Sequence, residues 1–155
     1  MAKKVADQLV DTLEKAGVRR IYAVTGDSLN EVNEAVRKNG RLRWIHVRHE
    51  ETGAYAAAAE AQLTGELACC AGSSGPGHVH LINGLYDAQR SGARVLAIAS
   101  TIPSREFGTE YFQETNTIKL FDDCSYYNQV ATTPEQFPRM LQGAMQAAIS
   151  SCGVG

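Results

Sequence analysis

The stretch Trp44-Ile45-His46-Val47-Arg48-His49-Glu50-Glu51-Thr52-Gly53-Ala54-Tyr55-Ala56-Ala57-Ala58-Ala59 decides how this chain folds. Its first four residues read as a short strand. The alanine-rich run 52–63 reads as a helix, because Ala has the highest helix propensity. Glu50 therefore sits where a strand hands over to a helix, which in an open α/β sheet is the edge where ligands bind. An acidic residue in a first helical turn can also merely complement the helix dipole, for about 0.3–1 kcal/mol. Glu50 taken alone does not separate the two readings.

Working outward, Val5, Leu9, Leu13 and Ala16 recur at helical spacing, and Gly17 is a natural stop. Residues 20–24 form a short apolar strand ended by Thr25-Gly26-Asp27. Ser28 with Glu31 three residues later reads as a capping box for a helix to about Lys38. Residues 67–71 are continuously apolar, as in a strand buried on both faces. The tight loop Gly72-Ser73-Ser74-Gly75-Pro76-Gly77 follows, then a helix over 78–89 and a buried strand over 94–99. The polar and aromatic stretch 100–117 has no clean period, and a loop of that length in a compact domain is usually functional. Residues 118–124 suit a short helix and 127–131 a further strand. Thr133, Pro134 and Gln136 read as a second capping box, before the apolar stripe Phe137, Met140, Leu141, Ala144, Met145 and Ala148. Strands alternating with helices predict an α/β domain, a parallel sheet with helices on both faces.

The 155 residues suffice for one domain with a real core, so residues 1–155 are read as a single domain. Hydrophobic residues at 44% and charged residues at 21% exclude a disordered chain. A net charge of −2 offers no basic field for nucleic acid or anionic lipid. No apolar run approaches the roughly 20 residues of a membrane span. The start Met1-Ala2-Lys3-Lys4 leads into no apolar signal segment. Cys69, Cys70, Cys124 and Cys152 show no C-x-x-C spacing, so reduced thiols and a cytoplasmic location are expected. The sequence ends at Cys152-Gly153-Val154-Gly155, where a last strand is expected, which suggests a piece of a longer enzyme.

Several motifs fail on inspection. The loop 72–77 lacks the Lys-Ser/Thr of a Walker loop, and its glycines are wrongly spaced for a dinucleotide fingerprint. It suits either anion binding or a plain tight turn. His49-Glu50 begins a zinc-protease pattern, but Gly53 stands where the second histidine belongs. His78 and His80 lie two apart, so on a helix they face different ways and share no metal; no metal site is expected. Cys69 and Cys70 point to opposite faces of a strand, as core residues do.

Read together, Val24-Thr25-Gly26-Asp27-Ser28-Leu29-Asn30, Arg48-His49-Glu50-Glu51 and the loop 72–77 resemble the pyrimidine-binding (PYR) domain of thiamine diphosphate enzymes. Leu81-Ile82-Asn83-Gly84-Leu85-Tyr86-Asp87-Ala88 and Tyr111-Phe112-Gln113-Glu114-Thr115 complete the pattern, over essentially the whole chain. The nearest flavour is pyruvate oxidase and quinone-linked pyruvate dehydrogenase; acetolactate synthase, another 2-keto acid decarboxylase branch or a stand-alone binding module are the alternatives. The resemblance implies that Glu50 hydrogen-bonds N1′ of the aminopyrimidine. A carboxyl group there favours the imino tautomer, whose 4′ nitrogen can take the C2 proton, and the cofactor serves as the electron sink for CO₂ loss. It implies further that Thr25, Gly26, Gly75, Pro76, Gly77 and Asn83 line the cofactor pocket. Phe112 and Gln113 would hold substrate near the reacting carbon, and Glu51 has no assigned role. Mg²⁺ and FAD are implied for the full-length enzyme, bound mainly outside these residues. Its expected partners are pyruvate, the enzyme's remaining domains, a second subunit and a peripheral membrane or quinone link. The isolated chain, holding half a site, is expected to be inactive.

Overall fold

The computed structural model describes residues 3–155; Met1 and Ala2, the first residues of the start read as lacking a signal segment, lie outside the described residues. Four parallel strands, β1 (Arg20–Ala23), β2 (Arg43–His46), β3 (Ala68–Gly72) and β4 (Val95–Ala99), form one sheet in the order β2-β1-β3-β4. Helices α1 (Val5–Lys15), α2 (Asn30–Asn39) and α7 (Phe137–Ser151) cover one face. Helices α3 (Glu50–Thr64), α5 (Ile82–Ser91) and α6 (Thr117–Phe121) cover the other, and the single turn α4 (Pro76–Val79) precedes α5. The sheet explains the sequence pattern. Cys69 faces the first core and Cys70 the second, so β3, buried at every position, carries no polar residue.

The sheet, expected to lack its last strand, has four strands, and its outer edge carries one further isolated bridge. Gly153–Gly155 lies parallel to the outer edge of β4, with Val154 opposite Val95 and Ala97 N–H donating to Gly155 O at 2.9 Å. With that edge taken, residues 127–131 form no strand, contrary to the reading of the sequence. They are held by side chains instead: Asn128 Nδ2 donates to Thr117 O and Ile118 O, and the Tyr127 ring rests against Gly143 of α7.

Three further local expectations give way to long-range contacts. Ser28 does not cap α2, which starts at Asn30 after a 3₁₀ turn over Asp27–Leu29; its hydroxyl is committed to the glycine loop. The second capping box also dissolves. Helix α7 starts at Phe137 with Pro138 in its first turn, and Gln136 Oε1 accepts from Thr132 rather than Thr133. The helix expected over 78–89 breaks at His80 and Leu81, where Leu81 N–H donates to His78 O in a tightened turn, because the two flanking histidines are drawn to different partners.

Candidate functional site

Parallel strands place all their carboxyl ends on one edge. The chain leaves β1 toward β2 but leaves β3 toward β4, so the connections part between β1 and β3, the crevice where open α/β sheets bind ligands. Here the crevice is laced. Ser28 Oγ lies 2.8 Å from Ser73 Oγ and accepts the Ser74 N–H at 2.9 Å, while Ser100 Oγ donates to Ser28 O. A Cβ on Gly26 would collide with the Ser73 side chain, so the β1 loop lies directly on the glycine loop.

Glu50 is the first residue of α3 and is only 8% exposed. Its carboxylate caps nothing: no side chain caps the N-terminus of α3. Instead Oε2 lies 3.0 Å from His80 Nδ1, at the break between α4 and α5. Oε1 has no hydrogen-bond partner among the described residues and is not sealed from solvent. It faces Gly77, where an added Cβ would approach it to 3.3 Å. The His80 ring stacks on His49, with centroids 4.4 Å apart, and His49 Nδ1 lies 3.7 Å from Glu51 Oε2.

The glycine loop also receives the long loop. Gly75 (φ +67°) leaves space that Gln113 occupies, for a Cβ at position 75 would stand 2.7 Å from Gln113 Cβ. Gln113 itself has φ +68°, a conformation uncommon for a residue with a side chain, and Ser74 Oγ donates to its Oε1 at 3.0 Å. His78 ties the same loop down from below: Nδ1 donates to Ser100 O at 2.8 Å and Nε2 meets Thr115 Oγ1 at 2.5 Å. Burial pushes the His78 pKa down. The fold thus unites Glu50, Gly75, Gly77 and Gln113 at one edge. Thr25 and Pro76 are exposed beside them, Phe112 projects outward at 80% exposure, and Asn83 lies exposed on α5 without a side-chain bond among the described residues. Burial pushes the Cys70 thiol up to about 12 and the Cys124 thiol up to about 11, so neither is a nucleophile.

His80 is the site residue that the sequence did not reveal. The one legible signal was its place just beyond the glycine loop, on the same sheet edge as Glu50. His49, Glu50 and His80 also bring three ligand atoms within 4.8 Å of one another. The ring planes, however, are stacked and only 23° apart, and an imidazole binds metal in its own plane. The two lone pairs do not converge; the arrangement suits a held carboxylate.

Fold and site together define an α/β domain that presents a fixed, half-free carboxylate beside a glycine loop. Residues 3–120 match the family described as "Thiamine pyrophosphate enzyme, N-terminal TPP binding domain". The chain belongs to this family. It is 57% identical over 151 residues to an uncharacterized 42.6 kDa protein of Pseudomonas amyloderamosa, covering 97% of this chain and 38% of that one. It is 46% identical over 156 residues to a putative thiamine pyrophosphate-containing protein, YdaP, of Bacillus subtilis, covering 99% and 27%. With pyruvate oxidase of Lactiplantibacillus plantarum it shares 38% over 147 residues, covering 94% and 24%. The chain therefore spans about a quarter to two-fifths of the length of these relatives.

The aminopyrimidine end of thiamine diphosphate fits this edge, because Glu50 keeps one oxygen unbonded where a ring nitrogen can meet it. Among the described residues, the only grouping of His, Cys, Asp and Glu close enough to share an ion surrounds Glu50 itself, and no second such group is placed for a diphosphate-bound metal. No helix among the described residues is long and apolar enough to cross a membrane.

Proposed function

We propose that this chain is the aminopyrimidine-binding domain of a thiamine diphosphate flavoenzyme that oxidatively decarboxylates pyruvate. The product is acetate in a quinone-linked enzyme, with water supplying the second oxygen, or acetyl phosphate where phosphate takes the place of water. In either case CO₂ would leave and FAD, bound elsewhere in the enzyme, would supply the two-electron acceptor. The observation that carries the reading is the Glu50 carboxylate, buried at the strand-to-helix edge with Oε2 held and Oε1 free. The likeness to a pyruvate oxidase supports the choice of substrate.

When bound, the cofactor supplies the electron sink for CO₂ loss. The work of this chain is positional. Glu50 Oε1 would hold N1′ of the bound cofactor, a contact that would favour its imino tautomer. Gly26, Gly75 and Gly77 keep the edge free of side chains, with Thr25, Pro76 and Asn83 at its rim. Gln113, pinned to Ser74, offers its amide to the substrate carboxylate, and Phe112 excludes water once a second subunit covers it. Mg²⁺ and FAD belong to parts of the enzyme beyond these residues, in a cytoplasmic protein with a peripheral link to membrane quinone.

The test is the full-length protein given pyruvate and an artificial electron acceptor. Acetate or acetyl phosphate should form with CO₂, and Glu50→Gln should lower turnover by at least about 10³-fold. Acetolactate as the product would move the chain to the synthase branch. No release of CO₂ would leave a binding module.

A further inference from the structure

We infer that His80 is a positioning residue for Glu50: its Nδ1–H claims Oε2 and so presents Oε1 to the aminopyrimidine. The inference rests on the reading of Glu50 given above and adds the group that makes that carboxylate usable.

A glutamate at the first position of a helix has an alternative use. Its carboxylate can fold back onto the unpaired N–H groups of the first turn, where the helix dipole also draws it. Glu50 does not do this, and the N-terminus of α3 has no side-chain cap. The only hydrogen bond to its carboxylate among the described residues comes from His80, 30 positions along the chain. The break between α4 and α5 serves that bond. The tightened turn from His78 O to Leu81 N–H turns His78 inward, to 1% exposure, and leaves His80 facing Glu50. The plane of the His80 ring is set from its other side by His49, stacked at 4.4 Å. Glu51 in turn lies 3.7 Å from His49 Nδ1, which gives the neighbouring carboxylate a place in the same array.

The arrangement fixes the chemistry. A carboxylate only accepts, so Nδ1 of His80 must carry the proton. With Oε2 occupied and Gly77 allowing no side chain beside Oε1, a single oxygen of Glu50 remains for a ligand. Without His80 the carboxylate regains rotamer freedom and the competing helix N-terminus.

The experiment uses the full-length protein loaded with thiamine diphosphate and follows exchange of the cofactor C2 proton for deuterium by NMR after an acid quench, with cofactor affinity measured by equilibrium dialysis. His80→Ala should slow exchange about tenfold, the size of one charge-assisted hydrogen bond. Affinity should change by less than about threefold, since the rest of the cofactor is held elsewhere. His80→Asn places an amide N–H near the position of Nδ1 and should restore exchange to within about threefold. His80→Gln places it near Nε2 and should not. Unchanged exchange in His80→Ala, or equal loss in His80→Asn and His80→Ala, overturns the inference. Glu50→Gln separates the two levels. If it leaves exchange untouched, the reading of Glu50 itself fails; if it slows exchange while His80→Ala does not, only the role of His80 fails.

Discussion

The two faces of the sheet are packed by different means. Over one face, α1, α2 and α7 meet the strands through branched and long side chains: Leu9, Val10, Leu13, Val36, Leu141 and Met145. That layer is not full. A half-open cleft of about 450 Å³ lies between α1, α7 and the outer edge of β4, lined on this side by Val5, Leu9, Leu96, Ile98 and Leu141 and reaching Leu85 and Phe121 around that edge. Over the other face, α3 presents Ala54, Ala57, Ala58 and Ala61 to the sheet and to α5, and the two helices approach so closely that only glycine fits at position 84. The Glu50–His80 pair hangs from the second face alone. Glu50 opens α3 and His80 stands just before α5, so their 3.0 Å contact is set by the distance between those two helices. Where Ala54 of α3 meets Gly84 of α5 there are no side chains that can rearrange to change that distance, whereas leucines next to an open cleft can.

The sharpest way to break this difference is Gly84→Ala. Its Cβ would stand 2.5 Å from Ala54 Cβ and 2.8 Å from Tyr55 N, so one helix backbone must shift. Overpacking of this kind costs about 3 kcal/mol, reduced by about 1 kcal/mol of gained helix propensity. We expect a net loss of about 2 kcal/mol in denaturant unfolding of the full-length protein, together with slower exchange of the cofactor C2 proton as Glu50 and His80 are drawn apart. Unchanged stability would mean that the alanine layer is looser than its spacing implies.

A matched pair sharpens the comparison further. Ala57→Val adds two methyl groups where the residue is fully buried, between α3 and its neighbours, and should cost about 1–3 kcal/mol. Ala6→Val adds the same groups on α1 beside the cleft and should cost no more than about 0.7 kcal/mol, the loss of helix propensity alone. Equal penalties, read from unfolding midpoints, would show that the cleft does not absorb volume and that the two faces are equally rigid.

The same contrast explains what could be read from the sequence. The sheet, its order of elements and the carboxyl edge followed from periodicity, because β3 and β4 are continuously apolar and α3 is dense in alanine. The three loops that meet at Glu50 were legible for the same reason: in a parallel sheet all strand ends share one edge. What escaped were the places where a polar side chain had a local use and a distant one. Ser28 fits a capping box by spacing, yet it serves the glycine loop 46 positions on, through the Ser74 N–H. Gln136 reaches back to Thr132 rather than Thr133. Residues 127–131 have strand composition but meet an edge already claimed by Gly153–Gly155. The spacing of His80 says only that it shares no metal with His78, because the partner that gives it meaning is on another helix. Local rules score local partners, and at the site the distant partner wins.

The smallest expected effect tests whether the tight face also excludes water. His78 lies on that side, edge-on to Phe121 at 5.9 Å, and bridges Ser100 O and Thr115 Oγ1, so it anchors the loop that carries Phe112 and Gln113. Burial lowers its pKa below the ordinary value of 6.5, against the partial opposition of the bond to Ser100 O. A neutral imidazole suits the geometry, with Nδ1–H donating to the carbonyl and Nε2 accepting the threonine hydroxyl. Because the folded pKa lies below the unfolded one, the unfolded chain binds more protons as pH falls past about 6.5. The contribution of His78 is therefore intact above neutrality and is lost as pH falls through the folded value. His78→Gln removes the titration. Between pH 7.5 and 5.5 the melting temperature of the unsubstituted protein should drop by roughly 2 °C more than that of the variant. Parallel pH profiles would mean that water reaches the imidazole and shelters its charge, and a face that admits water there is not the close-packed layer that holds Glu50 against His80.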